Sequence, residues 1–278
     1  MFTNERAKSM WRLSRAVAAS ALRRSLAAAR RSAASGISLV FPPSCLLCGS
    51  DMPARHSPPL LCAECVDDFG YRGAPVCSVC AAPLHQIGEA VQDCLYCEER
   101  RYRFAASWAL GIYEGQLRNA VLRMKLAAHE PLSLTIGAAL ADHLHVRLGS
   151  HSPDLVVPVL MHWWRRWLRG TNGPDLLAEA VAERLRIPVA AGLLRCRRRT
   201  QKQGTLLPDE RFRNVAGAFR VSPSYDIRGA KVLLIDDIMT TGATANAAAK
   251  VLRRAGAAAV FVAVVARGVG LDEPRTAR

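Results

Sequence analysis

No apolar run in this sequence is long enough to cross a bilayer: the longest, AAAVFVAVVA at 257–266, falls well short of the roughly 18 residues a span needs. The N-terminus also lacks the unbroken apolar segment of a signal peptide. A soluble, unsecreted, cytoplasmic protein without a membrane span is expected. No GxxxxGK[ST] loop occurs, which excludes a Walker-type phosphate site. Acid is scarce where base is crowded, Glu5 being the only acidic residue among residues 1–36.

Cysteine, by contrast, is plentiful and ordered. Eight of the nine cysteines form four CxxC pairs between Cys45 and Cys97, and in a cytosolic chain such pairs point to metal rather than to disulfides. Cys45, Cys48, Cys62 and Cys65 recur as Cys77, Cys80, Cys94 and Cys97, each displaced by 32 residues, so one unit is present twice. A tetrahedral Zn²⁺ takes four soft donors at about 2.3 Å; each CxxC supplies two from a tight knuckle, and two knuckles close one site. The spacing C-x2-C-x13-C-x2-C, found twice, predicts two structural zinc sites in tandem ribbons over 37–101, and the repeat favours sequential pairing. Fe–S ligation by the same thiolates is the minor alternative. His56 and His85 lie inside the loops of the two units and are bystanders where four thiolates are at hand. Cys196 stands among arginines with no base signalled beside it, and reads as a partly buried small residue.

Lys plus Arg exceed Asp plus Glu by 15, and two zinc tetrathiolates would lower that surplus by about four. A basic surface recruits nucleic acid, anionic lipid or phosphorylated small molecules, and charge alone does not choose among them. A large share of the surplus sits in residues 1–36, where Trp11, Leu13, Val17, Leu22 and Leu26 sketch an apolar face at helical spacing. This arm reads equally well as a basic helix and as an extension without its own fold, or as the product of a start codon set too far upstream.

The chain is long enough for one α/β domain beside a smaller module. YRFAASWALGIY (102–113) predicts a strand, and 117–148 two helices broken near Pro131. His143 and His145, two apart, face different sides of that segment and do not form a metal pair. After a turn-rich boundary at 149–154, the pattern alternates: strand in DLVVPVL, a Trp/Arg loop containing WWRRWLR (163–169), helix in PDLLAEAVAERL, short strand in AGLLRC. A polar stretch at 197–214 leads to GAFRV, the strand VLLID, a helix over 244–255 ending at Gly256, and the strand AVFVAVVA. Such alternation predicts a parallel sheet with helical crossovers, within a domain spanning 102–270 and followed by a tail, 271–278.

The most informative stretch is VLLIDDIMTTGAT, 232–244. Nothing in the packing of a buried strand asks for Asp236 and Asp237 at its carboxyl end. Glycine and small hydroxylated residues between strand and helix let backbone N–H groups converge on an anion, helped by the positive end of the next helix. Carboxylates beside that phosphate avoid repulsion by binding neutral hydroxyls, as on a ribose. A 5-phosphoribosyl group satisfies both demands.

The stretch resembles the phosphoribosyl pyrophosphate (PRPP) signature of type I phosphoribosyltransferases. With ISLVFPPSCLLCG (37–49), LRMKLAAHEP (122–131), LRGTNGPDLLA (168–178) and RRTQKQGTLLPDERFRNVAGAF (198–219), it is similar to the ComF family of competence-associated proteins over about residues 37–267. Two motifs depart from that family: its RGFNQ reads Arg169-Gly170-Thr171-Asn172-Gly173 here, and its PVP reads Pro158-Val159-Leu160.

The resemblance implies a type I phosphoribosyltransferase fold after a double zinc ribbon, and displacement of pyrophosphate at the ribose anomeric carbon with Mg²⁺ bound to PRPP. Asp236 and Asp237 would take the ribose hydroxyls, and Met239, Thr240, Thr241, Gly242, Ala243 and Thr244 the 5′-phosphate. Arg169 would face the pyrophosphate, and Arg199, Lys202, Gln203, Arg211 and Asn214 would belong to a mobile flap that excludes water, Arg211 joining the acid pair as a catalytic residue. Arg197 and Arg198 taken singly read as solvated. Lys125 is a family position that reads equally as a phosphate-side contact and as a helix-surface lysine. No residue pattern marks a purine or pyrimidine pocket, so the acceptor is unassigned. A non-catalytic PRPP sensor is the first rival class. The second is an accessory protein of DNA uptake, in which the ribbons, the arm and WWRRWLR bind single-stranded DNA and competence proteins such as a helicase are partners.

Overall fold

A computed structural model describes residues 43–52, 60–71, 73–84, 86–87, 90–91, 93–98, 100–159, 173–198 and 206–269. The arm 1–36, His56, His85, the Trp/Arg loop with Arg169, the flap residues Arg199, Lys202 and Gln203, and the tail 271–278 lie outside them. No helix among the described residues is long and apolar enough to cross a membrane.

The cysteine-rich part contributes only short elements: α1 (Ala63–Asp67), the antiparallel pair β1 (Gln86–Ile87) and β2 (Ala90–Val91), and α2 (Leu95–Glu98). Then come β3 (Ala106–Ile112), α3 (Gly115–Arg123), a 3₁₀ turn (Ala127–His129) and α4 (Glu130–Arg147). The helical break predicted near Pro131 falls at Met124–Leu126, and Pro131 itself sits in the first turn of α4, where its missing N–H leaves no bond unmade. The remainder is β4 (Leu155–Pro158), α5 (Gly173–Leu185), β5 (Leu194–Cys196), α6 (Pro208–Val215), β6 (Phe219–Val221), β7 (Lys231–Met239), α7 (Ala243–Arg254) and β8 (Ala259–Arg267).

Four strands form one parallel sheet in the order β3-β8-β7-β4. Its central strands are covered on both faces, which is why they read as unbroken apolar runs. Leu233 and Ile235 of β7 pack with Leu117 and Val121 of α3, Ile136 and Leu140 of α4, and Leu177 and Val181 of α5. Val232 and Leu234 point the other way, into a core with Ala248, Ala249 and Leu252 of α7.

Two predicted strands do not join this sheet. AGLLRC and GAFRV supply β5 and β6, which pair with each other in antiparallel register, Leu194 opposite Val221 and Cys196 opposite Phe219. In each the first residue is buried and the second exposed, so the pair has only one apolar face and cannot sit in a sheet covered on both sides. Part of the polar stretch 197–214 is likewise ordered as α6, opened by Pro208 and by the Leu207 N–H donating to Glu210 Oε2 at 2.9 Å.

The ribbons share the cores of the sheet. Cys45, Met52, Leu61 and Cys65 are buried in the α3–α5 core, whereas Ala81 is buried in the α7 core.

Candidate functional site: two thiol clusters and an acid-loop site

The eight CxxC cysteines assemble into two groups, Cys45, Cys48, Cys62, Cys65 and Cys77, Cys80, Cys94, Cys97, with the four sulfurs of each within 4.8 Å of one another. This is the sequential pairing the repeat favours. Neighbouring sulfurs lie 3.5 Å apart for Cys48 and Cys62, 3.7 Å for Cys77 and Cys97, and 3.4 Å for Cys80 and Cys94, near the about 3.8 Å edge of a tetrahedron with 2.3 Å Zn–S bonds. The knuckle amide of Cys65 donates to Cys62 Sγ at 3.4 Å, as a thiolate ligand requires. Without a cation the four thiols of a cluster cannot all ionise. Burial pushes the Cys65 thiol far up; the hydrogen bond with Cys77, followed by burial, does the same to Cys80, while Cys77 falls to about 4. A divalent ion removes that conflict, and the donor set fits Zn²⁺ in both clusters. Neither His143 nor His145 joins a metal-ligating cluster among the described residues; burial, with help from Arg147, holds His143 down at about 4.

A ribbon's folding energy is largely its metal-binding energy. Two zinc ions per chain are expected, and Cys62→Ser is expected to lose one of them and open the first ribbon locally while the parallel-sheet domain stays folded. Elemental analysis that finds one zinc or none in protein purified without chelator refutes the tandem assignment.

The acid pair lies within β7 rather than after it, because the ladder with β8 continues to Met239 opposite Arg267. Both carboxylates are half-buried. Asp236 Oδ1 accepts from the Asp237 N–H at 2.9 Å, Asp237 Oδ1 accepts from the Ile238 N–H at 2.8 Å, and Lys125 Nζ lies 3.7 Å from Asp237 Oδ2. Lys125 thus reaches the acid pair from the turn after α3. Burial, and next the Asp237 charge, push the Asp236 carboxyl well above the usual carboxylate range, with Lys125 opposing.

Thr240, Thr241 and Gly242 carry the chain from β7 to the start of α7. Gly242 has φ 73° and caps the 12-residue helix without a side chain, leaving its positive end for an anion. Thr240 is exposed, and its Oγ1 takes a bond from Arg211 Nη1 at 3.2 Å; Arg211 Nε donates to Leu206 O at 3.0 Å. Thr241 is buried, Met239 and Ala243 are buried core residues, and Thr244 is half-buried. Arg198, read from sequence as solvated, donates to the carbonyls of Asn214 (2.8 Å) and Ala216 (2.9 Å), bracing the end of α6. Cys196 is half-buried and donates to Arg198 O at 3.3 Å.

Three supporting residues were not singled out by the sequence reading. Tyr102 stacks on Phe104 with centroids 4.7 Å apart and donates its hydroxyl to Thr241 O at 3.0 Å. Arg100 bonds Asp209 at 3.1 Å and lies 4.9 Å over the Phe212 ring. Arg267, at the end of β8, is 1% exposed. An arginine closing a long apolar strand is the one local hint for the last.

Known families match both parts of the chain. Residues 36–99 fit a double zinc ribbon domain and residues 175–277 a phosphoribosyl transferase domain. Competence protein F of Haemophilus influenzae is 28% identical over 215 residues, covering 74% of this chain and 90% of that protein. The chain is similar to Competence protein F over most of its length. DNA utilization protein YhgH of Salmonella typhi is 27% identical, with 81% of this chain and 96% of that protein covered. In the Escherichia coli K12 protein of the same name identity rises to 35%, over 44% of this chain and 54% of that one. Among solved structures, a B. subtilis glutamine PRPP amidotransferase is 23% identical with a TM-score of 0.33, matching 48% of this chain and 25% of its own. That structural likeness is too slight to build on. The phosphoribosyltransferase-like fold rests on the domain match and on the parallel sheet.

Proposed function

We propose that this ComF-type chain binds PRPP with Mg²⁺ at residues 236–244 and transfers its phosphoribosyl group to an acceptor, releasing pyrophosphate, in the service of DNA uptake. One observation carries the reading: adjacent half-buried carboxylates at the carboxyl end of a central parallel strand run directly into a glycine-capped helix N-terminus. Ligands of open α/β sheets sit at that edge. In this reading Asp236 and Asp237 take the ribose hydroxyls and Thr240–Thr244 surround the 5′-phosphate. Arg211, bonded to Thr240, closes α6 over the loop, with Arg169, Gln203 and Asn214 on the pyrophosphate side. Lys125 releases Asp237 to the sugar and is left facing incoming anionic oxygens. The bond from the anomeric carbon to pyrophosphate breaks through an oxocarbenium-like state as the acceptor bond forms, so the protein's part is to position and neutralise. Mg²⁺, which takes oxygen ligands and keeps several waters, would neutralise the departing diphosphate; the carboxylates of Asp236 and Asp237 are donors of the type it accepts. A reducing cytoplasm suits eight cysteines held as thiolates.

The deciding measurement is Mg²⁺-dependent PRPP binding and pyrophosphate release, with and without DNA. Binding with release supports the enzyme; binding without release under every acceptor tried supports the PRPP sensor; no binding removes both.

The basic surplus of 15 charges favours a second reading, in which the chain also holds single-stranded DNA. Each phosphate neutralised adds about 0.7 to the slope of log affinity against log salt. Deleting residues 1–36 is therefore expected to weaken binding and flatten that slope; equal slopes for full-length and truncated protein would show that the arm is no nucleic-acid element.

A further inference from the structure

Arg267 is among the largest fully buried side chains of the protein, at 1% exposure. Its hydrogen-bond and ring partners among the described residues are neutral. Nε donates to Cys80 O at 2.9 Å, Nη1 donates to Met239 O at 3.2 Å and to Gly268 O, and the guanidinium carbon lies 4.8 Å from the centre of the Tyr96 ring. Carbonyls and a ring satisfy the donors, but a buried cation also needs opposite charge nearby. Cys80, whose carbonyl Arg267 holds, belongs to the second thiol cluster, and one Zn²⁺ on four thiolates carries a net charge of about −2.

The other end of Arg267 lies at the acid-loop site. Met239 is the last residue of β7, and the Gly268 N–H donates to Met239 O at 2.9 Å. Gly268 also packs so closely on Thr240 that an added Cβ would lie 2.7 Å from Thr240 Cγ2. Tyr102, packed against the second cluster, donates to Thr241 O, and Arg100 ties the same region to the helix that carries Arg211. The first ribbon makes different attachments: Leu47 O accepts from Arg123, Asp68 accepts from the Gln116 N–H, and Gly70 O accepts from the Ile112 N–H. None of these touches residues 239–244.

We propose that the second zinc ribbon is a wall of the phosphoribosyl site, with Arg267 as the positioning residue that joins them. The metal-bound thiolates of Cys77, Cys80, Cys94 and Cys97 neutralise Arg267, and Arg267 holds the Met239 and Gly268 carbonyls that set the 240–244 loop. Zinc in the second site is thereby required for an ordered loop, and zinc in the first is not. The PRPP part rests on the reading of 236–244 given above; the coupling of metal to loop does not.

The test compares full-length wild type with Arg267→Met, Arg267→Lys, Cys94→Ser and the first-ribbon control Cys48→Ser. It reads zinc content under chelator challenge, hydrogen exchange of the 240–245 amides, and calorimetric PRPP affinity. Arg267→Met is expected to weaken one of the two zinc sites by roughly 10–100-fold, the usual effect of losing an outer-shell partner, and to speed loop exchange. Arg267→Lys keeps the charge without the fork, so it is expected to restore zinc retention but not loop protection. Cys94→Ser is expected to lose one zinc, deprotect the loop and lower PRPP affinity by roughly 5–150-fold, the span usual for coupled sites. Cys48→Ser is expected to lose one zinc and leave the loop unchanged. The proposal fails if Cys94→Ser loses its zinc with the loop still protected, or if Cys48→Ser deprotects the loop equally. Should variants not fold, chelator titration of wild type decides: loop exchange must rise with loss of one particular zinc. Wild type that binds no PRPP yet shows this exchange pattern would sink the PRPP reading and leave the coupling standing.

Discussion

Asp236→Asn and Asp237→Asn are each expected to weaken PRPP binding about tenfold to a hundredfold, since each removes charge-assisted hydrogen bonds to a sugar hydroxyl, usually roughly 1.5–3 kcal/mol. Unchanged calorimetric affinity in both variants would refute the site. Asp236→Asn carries a second signature that a purely structural acid would not give. Its carboxyl holds a proton more tightly folded than unfolded, because of burial and then the Asp237 charge. Its contribution to stability is therefore fully present below the unfolded value of 3.8 and is lost as pH rises through the raised folded value. At neutral pH the empty site bears the cost of keeping this carboxyl buried beside the Asp237 charge. Asparagine removes that repulsion and can still accept from the Asp237 N–H. Ligand-free Asp236→Asn is thus expected to melt above wild type at neutral pH, by roughly 2–4 °C for each kcal/mol relieved, with the gain shrinking toward acid. Weaker binding together with higher stability marks a residue kept for function.

Gly242→Val is expected to damage both fold and site. The backbone there has φ 73°, and an added Cβ would lie 2.9 Å from Tyr102 Cε1. A β-branched residue in the left-handed region costs roughly 1–3 kcal/mol, and the clash would drive Tyr102 from its bond to Thr241. Gly229→Val is the control. Gly229 has φ 76° with nothing within 4 Å of its added Cβ, and it precedes the amino end of β7. Urea unfolding is expected to show a backbone loss in both variants, and calorimetry a loss of PRPP affinity in Gly242→Val alone. Equal PRPP affinities in the two would show that the 240–244 turn is not the phosphate seat.

The residues that assemble the site divide by how far along the chain their information reaches. The eight zinc ligands and the strand, acid pair and glycine loop of 232–244 were legible because each depends on local spacing and donor chemistry: a knuckle needs two sulfurs three positions apart, and a parallel strand buried on both faces announces itself as an apolar run. The order of helices and strands from 102 onward, α6 excepted, was legible for the same reason. What the sequence could not supply is which distant groups meet. Lys125 reads equally as a surface lysine until the turn after α3 is laid beside Asp237. Arg211 reaches Thr240 only because α6 forms within a polar stretch and packs over the loop. AGLLRC and GAFRV look like sheet strands, yet their exposed arginines at 195 and 220 keep them in a separate pair. Arg267 is the sharpest case. Along the chain it closes an apolar strand as a surface arginine would; in the fold, register with Met239 and the docking of the second ribbon bury it between Cys80 and the loop. Sequence by itself determined the thiol donors, the glycine loop and the parallel strand that presents it, because their chemistry is written in neighbouring residues. The tertiary structure decided which cations face the acids and which ribbon stands against the loop, because those follow from strand register and packing, to which no local spacing is tied.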